Sequence, residues 1–307
     1  MCGIFGVLDY KGKLRDMDEL VHSIAYESAE RGTDATGIAY VSHGNIKVKK
    51  DAVSAYNFKT DIPKGARAVI GHTRHSTQGD KKKNYNNHPW SETVSNGSFA
   101  LAHNGVLMND KEIQKRYNFK SKIETDSFVA VQLIKHKNKL GFESLKFMAE
   151  EIRGSFSFNL LDNKGNIYLV KGDSPIALIH FRKQGVYAFA STERILWRGL
   201  IDSELFDDLQ TGNYERIYIQ EGEILRLNAH GRIDREEFEF YVGYGADWRM
   251  GYNAKSYYGE DFDYEHELRN VAPYFGYDRE EVDEMLSMGY TPEEIEELLY
   301  GYIPSEV

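Results

Sequence analysis

The chain has 307 residues, 41% of them hydrophobic and 28% charged, with one cysteine and a formal net charge of -10. That length can bury a full core as one large domain with or without an appendage, and no apolar run approaches the roughly 18 residues of a membrane span. The first residues lack the basic and apolar regions of a secretion signal, and a single cysteine rules out an intramolecular disulfide, so a reducing, cytoplasmic setting is expected.

The charge is unevenly placed. Residues 236–307 hold 19 acidic side chains against 4 basic ones, which leaves residues 1–235 at a net of +5. An acidic tail repels phosphate backbones, so neither nucleic acid nor a membrane surface is an expected partner.

Cys2 follows Met1 directly. Once Met1 is trimmed, one residue carries both a thiol and a free α-amino group. An amine titrating at roughly 7.7 to 8.0 can take the proton of a thiol whose ordinary pKa is roughly 8.5, and return it to a leaving amine. A buried structural cysteine is the plain alternative at this point. Ile4, Phe5, Val7 and Leu8, ending at Asp9, read as a buried strand that anchors the terminus. Met17, Leu20, Val21 and Ile24 have helical spacing and predict a helix ending before Arg31-Gly32.

Further strands are expected at Ile38–Val41, Ile46–Val48, Ala68–His72, Phe99–His103, Phe156–Leu161, Ile167–Val170, Ala177–Phe181, Val186–Ala190, Tyr214–Ile219 and Ile224–Leu227. Asp162-Asn163-Lys164-Gly165 is a hairpin signal between two of them. Phe128–Ile134 and Phe142–Ile152 read as helices. Strands, then helices, then strands again predict an α+β chain in which two antiparallel sheets pack together under helices. Residues 1–235 form this domain. Residues 236–264, rich in Tyr, Gly and Asp, read as a linker or arm, and residues 265–307 as an acidic tail of two short helices. These helices carry capping-box signatures at Asp278/Glu281 and Thr291/Glu294.

Four loop motifs carry chemistry. Arg31-Gly32-Thr33-Asp34-Ala35-Thr36-Gly37 allows tight backbone paths beside a nucleophile. Gly71 to Gly79 places Arg74 after a strand, where a guanidinium can hold a carboxylate bidentately. Leu101-Ala102-His103-Asn104-Gly105 offers a side-chain amide and a backbone N–H for a developing oxyanion. Ile123-Glu124-Thr125-Asp126-Ser127 puts carboxylates at a helix start, where one can receive an ammonium. Each motif alone also has an ordinary role: a turn ion pair for Arg31 and Asp34, a hairpin for Asn104-Gly105, a helix cap for Thr125 or Asp126.

Together, and in this order behind Cys2, the motifs resemble the class II glutamine amidotransferases, the N-terminal-nucleophile glutaminase domains. The resemblance covers roughly residues 2–235, with softer matches at Gly154-Ser155-Phe156-Ser157-Phe158 and Lys171-Gly172-Asp173-Ser174-Pro175-Ile176. It implies a four-layer αββα sandwich of the Ntn hydrolase type, no cofactor and no metal. It also implies roles: Cys2 as nucleophile with its α-amino group as base, and the Asn104 side chain with the Gly105 N–H as oxyanion hole. Arg74, with Thr77 nearby, would bind the α-carboxylate of L-glutamine, Asp126 its α-ammonium, and Arg31 would line the pocket.

Two departures qualify this. The family usually shows Trp-Ala-Thr-His after the arginine, whereas this chain has His75-Ser76-Thr77-Gln78, which leaves His75 and Gln78 without an assigned role. Family members also usually carry a synthase domain. The acidic tail is too short for one and no Walker-type phosphate loop is present, so ammonia is expected to pass to a separate acceptor protein or to solvent. Two other readings stand beside glutaminase activity: hydrolysis of another small amide, and an idle scaffold that holds a partner.

Overall fold

The computed structural model describes residues 2–240, 265, 268–269, 272–290 and 292–299. Its strands are β1 (Gly3–Asp9), β2 (Ala35–Ser42), β3 (Asn45–Asp51), β4 (Ala68–Arg74), β5 (Trp90–Val94), β6 (Gly97–Leu107), β7 (Gly154–Asp162), β8 (Ile167–Lys171), β9 (Ala177–Phe181), β10 (Val186–Ala190), β11 (Glu215–Arg216), β12 (Glu223–Leu227) and β13 (Ile233–Glu237). The helices are α1 (Met17–Ser28), α2 (Asp110–Arg116), α3 (Phe128–Lys137), α4 (Phe142–Glu151), α5 (Glu193–Leu200), α6 (Phe206–Gln210), α7 (Arg279–Ser287) and α8 (Pro292–Leu299).

Two antiparallel sheets result. The first runs β11-β9-β10-β1-β4-β2-β3 and the second β13-β12-β8-β7-β6-β5. Their facing sides meet in an apolar layer that includes Leu8, Ile70, Phe189, Leu161, Leu169 and Leu225. On the outer side of the first sheet, Leu20, Val21 and Ile24 of α1 pack with Ile195, Leu196 and Leu200 of α5. The second sheet is covered by α3 and α4 through Val129, Leu133, Leu145 and Met148. The layers are thus helix, sheet, sheet, helix, as the αββα expectation has it. Burying each such side chain contributes about 1.5–3 kcal/mol, and the apolar layers are what hold the sheets face to face.

Local chemistry sets several boundaries. Asp16 caps α1 by accepting the Glu19 N–H at 3.0 Å. In the β7–β8 hairpin, Asp162 accepts the Lys164 and Asn166 amides, both at 2.9 Å. The expected strand at Tyr214–Ile219 shrinks to the two residues of β11, because after the Ile217 N–H reaches Leu178 O the chain leaves the edge of β9. β5 and β13 went unread. β13 is an exposed edge strand of sequence Ile-Asp-Arg-Glu-Glu, tied to β12 by Arg226–Asp234 and Arg235–Glu223 pairs rather than by apolar alternation.

β13 ends inside the 236–264 segment, and Phe238 beyond it is buried beside Phe156. Residues 241–264 lie outside the described residues. In the tail, Asp278 and Glu281 form the capping box of α7, while Thr291 lies outside the described residues. Leu268, Ala272, Val282, Ile295 and Leu299 bury one another there.

Where β8 stops, Asp173 takes over its pairing. Its Oδ1 accepts the Phe156 N–H at 2.9 Å, and the Gly172 N–H donates to Phe156 O at 3.0 Å. Burial pushes the Asp173 carboxyl up to about 6, against the pull of the Phe156 N–H, Ser155 and Lys171. A raised acid pKa means the folded state holds the proton more tightly. The stability it gives is therefore full below the unfolded value near 4 and lost as pH rises towards 6. Asp173→Asn keeps an acceptor for Phe156 without a charge to desolvate. Denaturant titrations should show the variant gaining on the unaltered protein by up to about 3 kcal/mol between pH 4 and 7, levelling off above 6. A flat difference across that range would refute the assignment.

Candidate active site

β1 pairs with β4 so that Gly3 faces Thr73, which brings Cys2 beside the Arg74–His75 backbone. The Cys2 thiol is bracketed by one residue. Its Sγ donates to His75 O at 3.3 Å and receives the His75 N–H at 3.4 Å. Arg31, itself buried, donates its Nε–H to Cys2 O at 2.8 Å and so fixes the backbone behind the thiol. The adjacent Gly32 permits this convergence, since a Cβ there would stand 2.4 Å from the Arg74 carbonyl carbon. Desolvation pushes the Cys2 thiol up, while the His75 N–H and the Arg74 guanidinium pull it down and Asp126 adds to the rise. A buried thiol of this kind needs a base to ionise.

Arg74 ends β4 with only 2% exposure. Its guanidinium donates to Asn87 Oδ1 at 2.5 Å, to Gln78 O at 2.6 Å and to Gly79 O at 3.0 Å. The loop that supplies those carbonyls is tied down at both ends. Asp34 accepts the Ser76 N–H at 2.8 Å and pairs with Lys81, and the Gln78 side chain donates to Glu124 O at 3.0 Å. Thr77, at the crest of the loop, is exposed.

Asn104 and Gly105 lie on β6, in the other sheet, opposite Ser157 and Phe156. Asn104 is fully buried. Gly105 has φ +130°, and a Cβ there would fall 2.1 Å from Ser155 O, so only glycine follows this path without strain. Two links bring β6 to the thiol side. His72 on β4 bonds through Nε2 to His103 O at 2.9 Å, and Asp126 accepts the Leu107 N–H at 2.7 Å. Asp126 also accepts the Ser127 hydroxyl at 3.2 Å, and its burial pushes its carboxyl up. Cys2, Arg74 and Asp126 are close enough to shift one another's titration. A thiol, a guanidinium, a carboxylate and an amide-bearing strand thus approach one another from two sheets, an arrangement suited to acyl transfer.

Residues 72–198 match the family described as the glutamine amidotransferase domain. Glutamine–fructose-6-phosphate aminotransferase (isomerizing) of Staphylococcus aureus is 34% identical over 194 residues, covering 58% of this chain and 30% of the relative. The Streptococcus agalactiae protein of the same description is 33% identical over 189 residues, with the same coverage. Over residues 72–198 this chain is thus similar to a glutamine amidotransferase domain. Its fold also matches that of glutamine phosphoribosylpyrophosphate amidotransferase from B. subtilis, with a TM-score of 0.62 and 19% identity over 78% of this chain and 50% of the other. The chain spans 30% of the length of the curated relatives it matches.

Within the matched stretch, the two residues that depart from the usual motif have places. His75 meets the thiol through its backbone, while its half-buried imidazole is pushed down to about 4, mainly by desolvation. Gln78 latches the loop to residue 124. Sequence reading missed Asn87 and Lys50, which support Arg74 from behind. The only signal was a run of three asparagines within residues 84–87, which has neither apolar period nor motif. Among the described residues no group of three or more His, Cys, Asp or Glu is arranged to hold a metal ion, and no helix is long and apolar enough to cross a membrane.

Proposed function

We propose that this chain hydrolyses L-glutamine to glutamate and ammonia through a γ-glutamyl thioester on Cys2, with Met1 removed, in the cytoplasm. The α-amino group of Cys2 takes the thiol proton and Sγ attacks the γ-carboxamide carbon. The Asn104 side chain and the Gly105 N–H receive the oxyanion. Arg74, with Thr77 nearby, holds the α-carboxylate and Asp126 the α-ammonium, while Arg31 keeps the nucleophile's backbone in place. Collapse of the tetrahedral adduct breaks the C–N bond, the nitrogen leaves with the proton as ammonia, and water then cleaves the thioester to glutamate and free thiol. Ammonia passes to a separate acceptor-activating protein, and the domain is residues 1–235, followed by the 236–264 arm and the acidic tail.

The observation that carries this reading is the Cys2 thiol held between the N–H and carbonyl of His75, beside the buried Arg74. A matched guanidinium and carboxylate favour a free amino acid over another amide. Purified protein lacking Met1 by intact mass should form glutamate and ammonia in equal amounts from glutamine. An electrophilic glutamine analogue should add its mass to the peptide containing Cys2. Label on another residue, or no turnover by correctly trimmed protein, would overturn the proposal.

A further inference from the structure

The three hydrogen-bond acceptors around Arg74 are all neutral: the Asn87 side-chain oxygen and two backbone carbonyls. They fix the plane of the guanidinium without cancelling its charge. Asn87, 1% exposed, is itself oriented, because its amide nitrogen donates to Lys81 O at 3.0 Å and to Asn84 Oδ1 at 3.2 Å, which turns its oxygen towards Arg74. Lys50, at the far end of the hairpin partner strand, donates through Nζ to Asn87 O at 2.5 Å and to Pro89 O at 3.0 Å. The carbonyl of the same lysine receives the Asn84 amide at 2.7 Å. Asn86 completes the clamp by bonding Glu124 through its side-chain oxygen and nitrogen at 3.0 and 2.8 Å, two residues before Asp126.

We propose that Asn87, clamped by Lys50, is a positioning residue that aims Arg74 at the substrate carboxylate and leaves the guanidinium charge free for it. The proposal rests on the glutaminase reading and names the residue that sets discrimination for a free α-carboxylate. An acidic residue at position 87 would pair with Arg74 and compete with the substrate, whereas an asparagine supplies direction alone. Lys50 adds a second, partly buried positive charge beside Arg74; burial and Arg74 together lower its pKa to about 8.

The test compares kcat/KM for L-glutamine with that for L-glutaminamide, in which the α-carboxylate is an amide. The unaltered protein should prefer glutamine. Asn87→Ala and Asn87→Asp should each reduce the preference roughly tenfold or more, mainly through KM for glutamine. Lys50→Met should move it the same way by less, and Lys50→Arg should restore it. A merely structural role would lower both substrates alike and leave the ratio unchanged. Should Asn87→Ala fail to fold, the isosteric Asn87→Asp and the Lys50 pair decide the question. An unchanged ratio in folded variants overturns the assignment of Asn87. Absence of glutamine turnover by the unaltered protein instead overturns the glutaminase reading beneath it.

Discussion

Cys2→Ala should reduce glutamate formation from glutamine by roughly 10⁴-fold or more, because no other group can form the thioester. The fold should survive. The substitution removes the two weak sulfur contacts to His75, worth about 1 kcal/mol, and leaves the Arg31 bond to Cys2 O and the β1–β4 pairing intact. Glutamine should still bind the variant, since Arg74 and Asp126 are untouched, and calorimetric titration should give an affinity within a few fold of the unaltered protein's. Cys2→Ser should fall between the two, because a hydroxyl is far harder to ionise than a thiol. Residual activity above about 1% in a homogeneous Cys2→Ala preparation would remove Cys2 from the nucleophile's role.

Gly105→Ala should damage stability and chemistry together. At φ +130° an L-residue is strained, and the added methyl would meet Ser155 O, a backbone atom held in the β6–β7 ladder. Relief requires the two strands to part, at a cost of about 2–5 kcal/mol from strain and overpacking combined. Any such shift moves the Gly105 N–H away from the developing oxyanion, and loss of one donor lowers kcat by roughly 10²–10³-fold. Denaturant midpoints and kcat at a temperature where the variant remains folded separate the two effects. A folded Gly105→Ala protein with unaltered kcat would exclude that N–H from the oxyanion hole.

Legibility in the sequence followed the range of the interactions. Ala177–Phe181 and Val186–Ala190 matched β9 and β10 end to end, because each is a short apolar run bounded by turn residues. The Asp162–Gly165 hairpin was readable because its bonds are local. α5 was missed although Thr192 caps it, since eight residues span barely two turns of a period. β5 and β13 are edge strands whose partners, not their composition, make them strands. At the candidate site, the elements that carry Cys2, Arg74, Asn104 and Asp126 lie together, through the β1–β4 pairing, the His72–His103 bond and the Asp126–Leu107 bond. The support around Arg74 was illegible, for Lys50 and Asn87 are 37 residues apart and meet only through tertiary packing.

Cys2, just before β1, and Arg74 at the end of β4 belong to one side of the sandwich, Asn104 and Gly105 on β6 to the other, and polar ties cross between them. Asn159 on β7 donates to Phe5 O and to Gly71 O, both at 3.1 Å, and His72 reaches His103 O. The separation between Cys2 and the Asn104–Gly105 stretch is therefore set by how closely the two sheets pack. That closeness is set by side chains such as Leu161, Leu169 and Phe189, none of which belongs to the site. Close-packed interiors transmit the loss of even one methylene. Under the proposed reaction the apolar interlayer is a spacer gauge, and the volume of residues remote from the thiol is coupled to the geometry of attack.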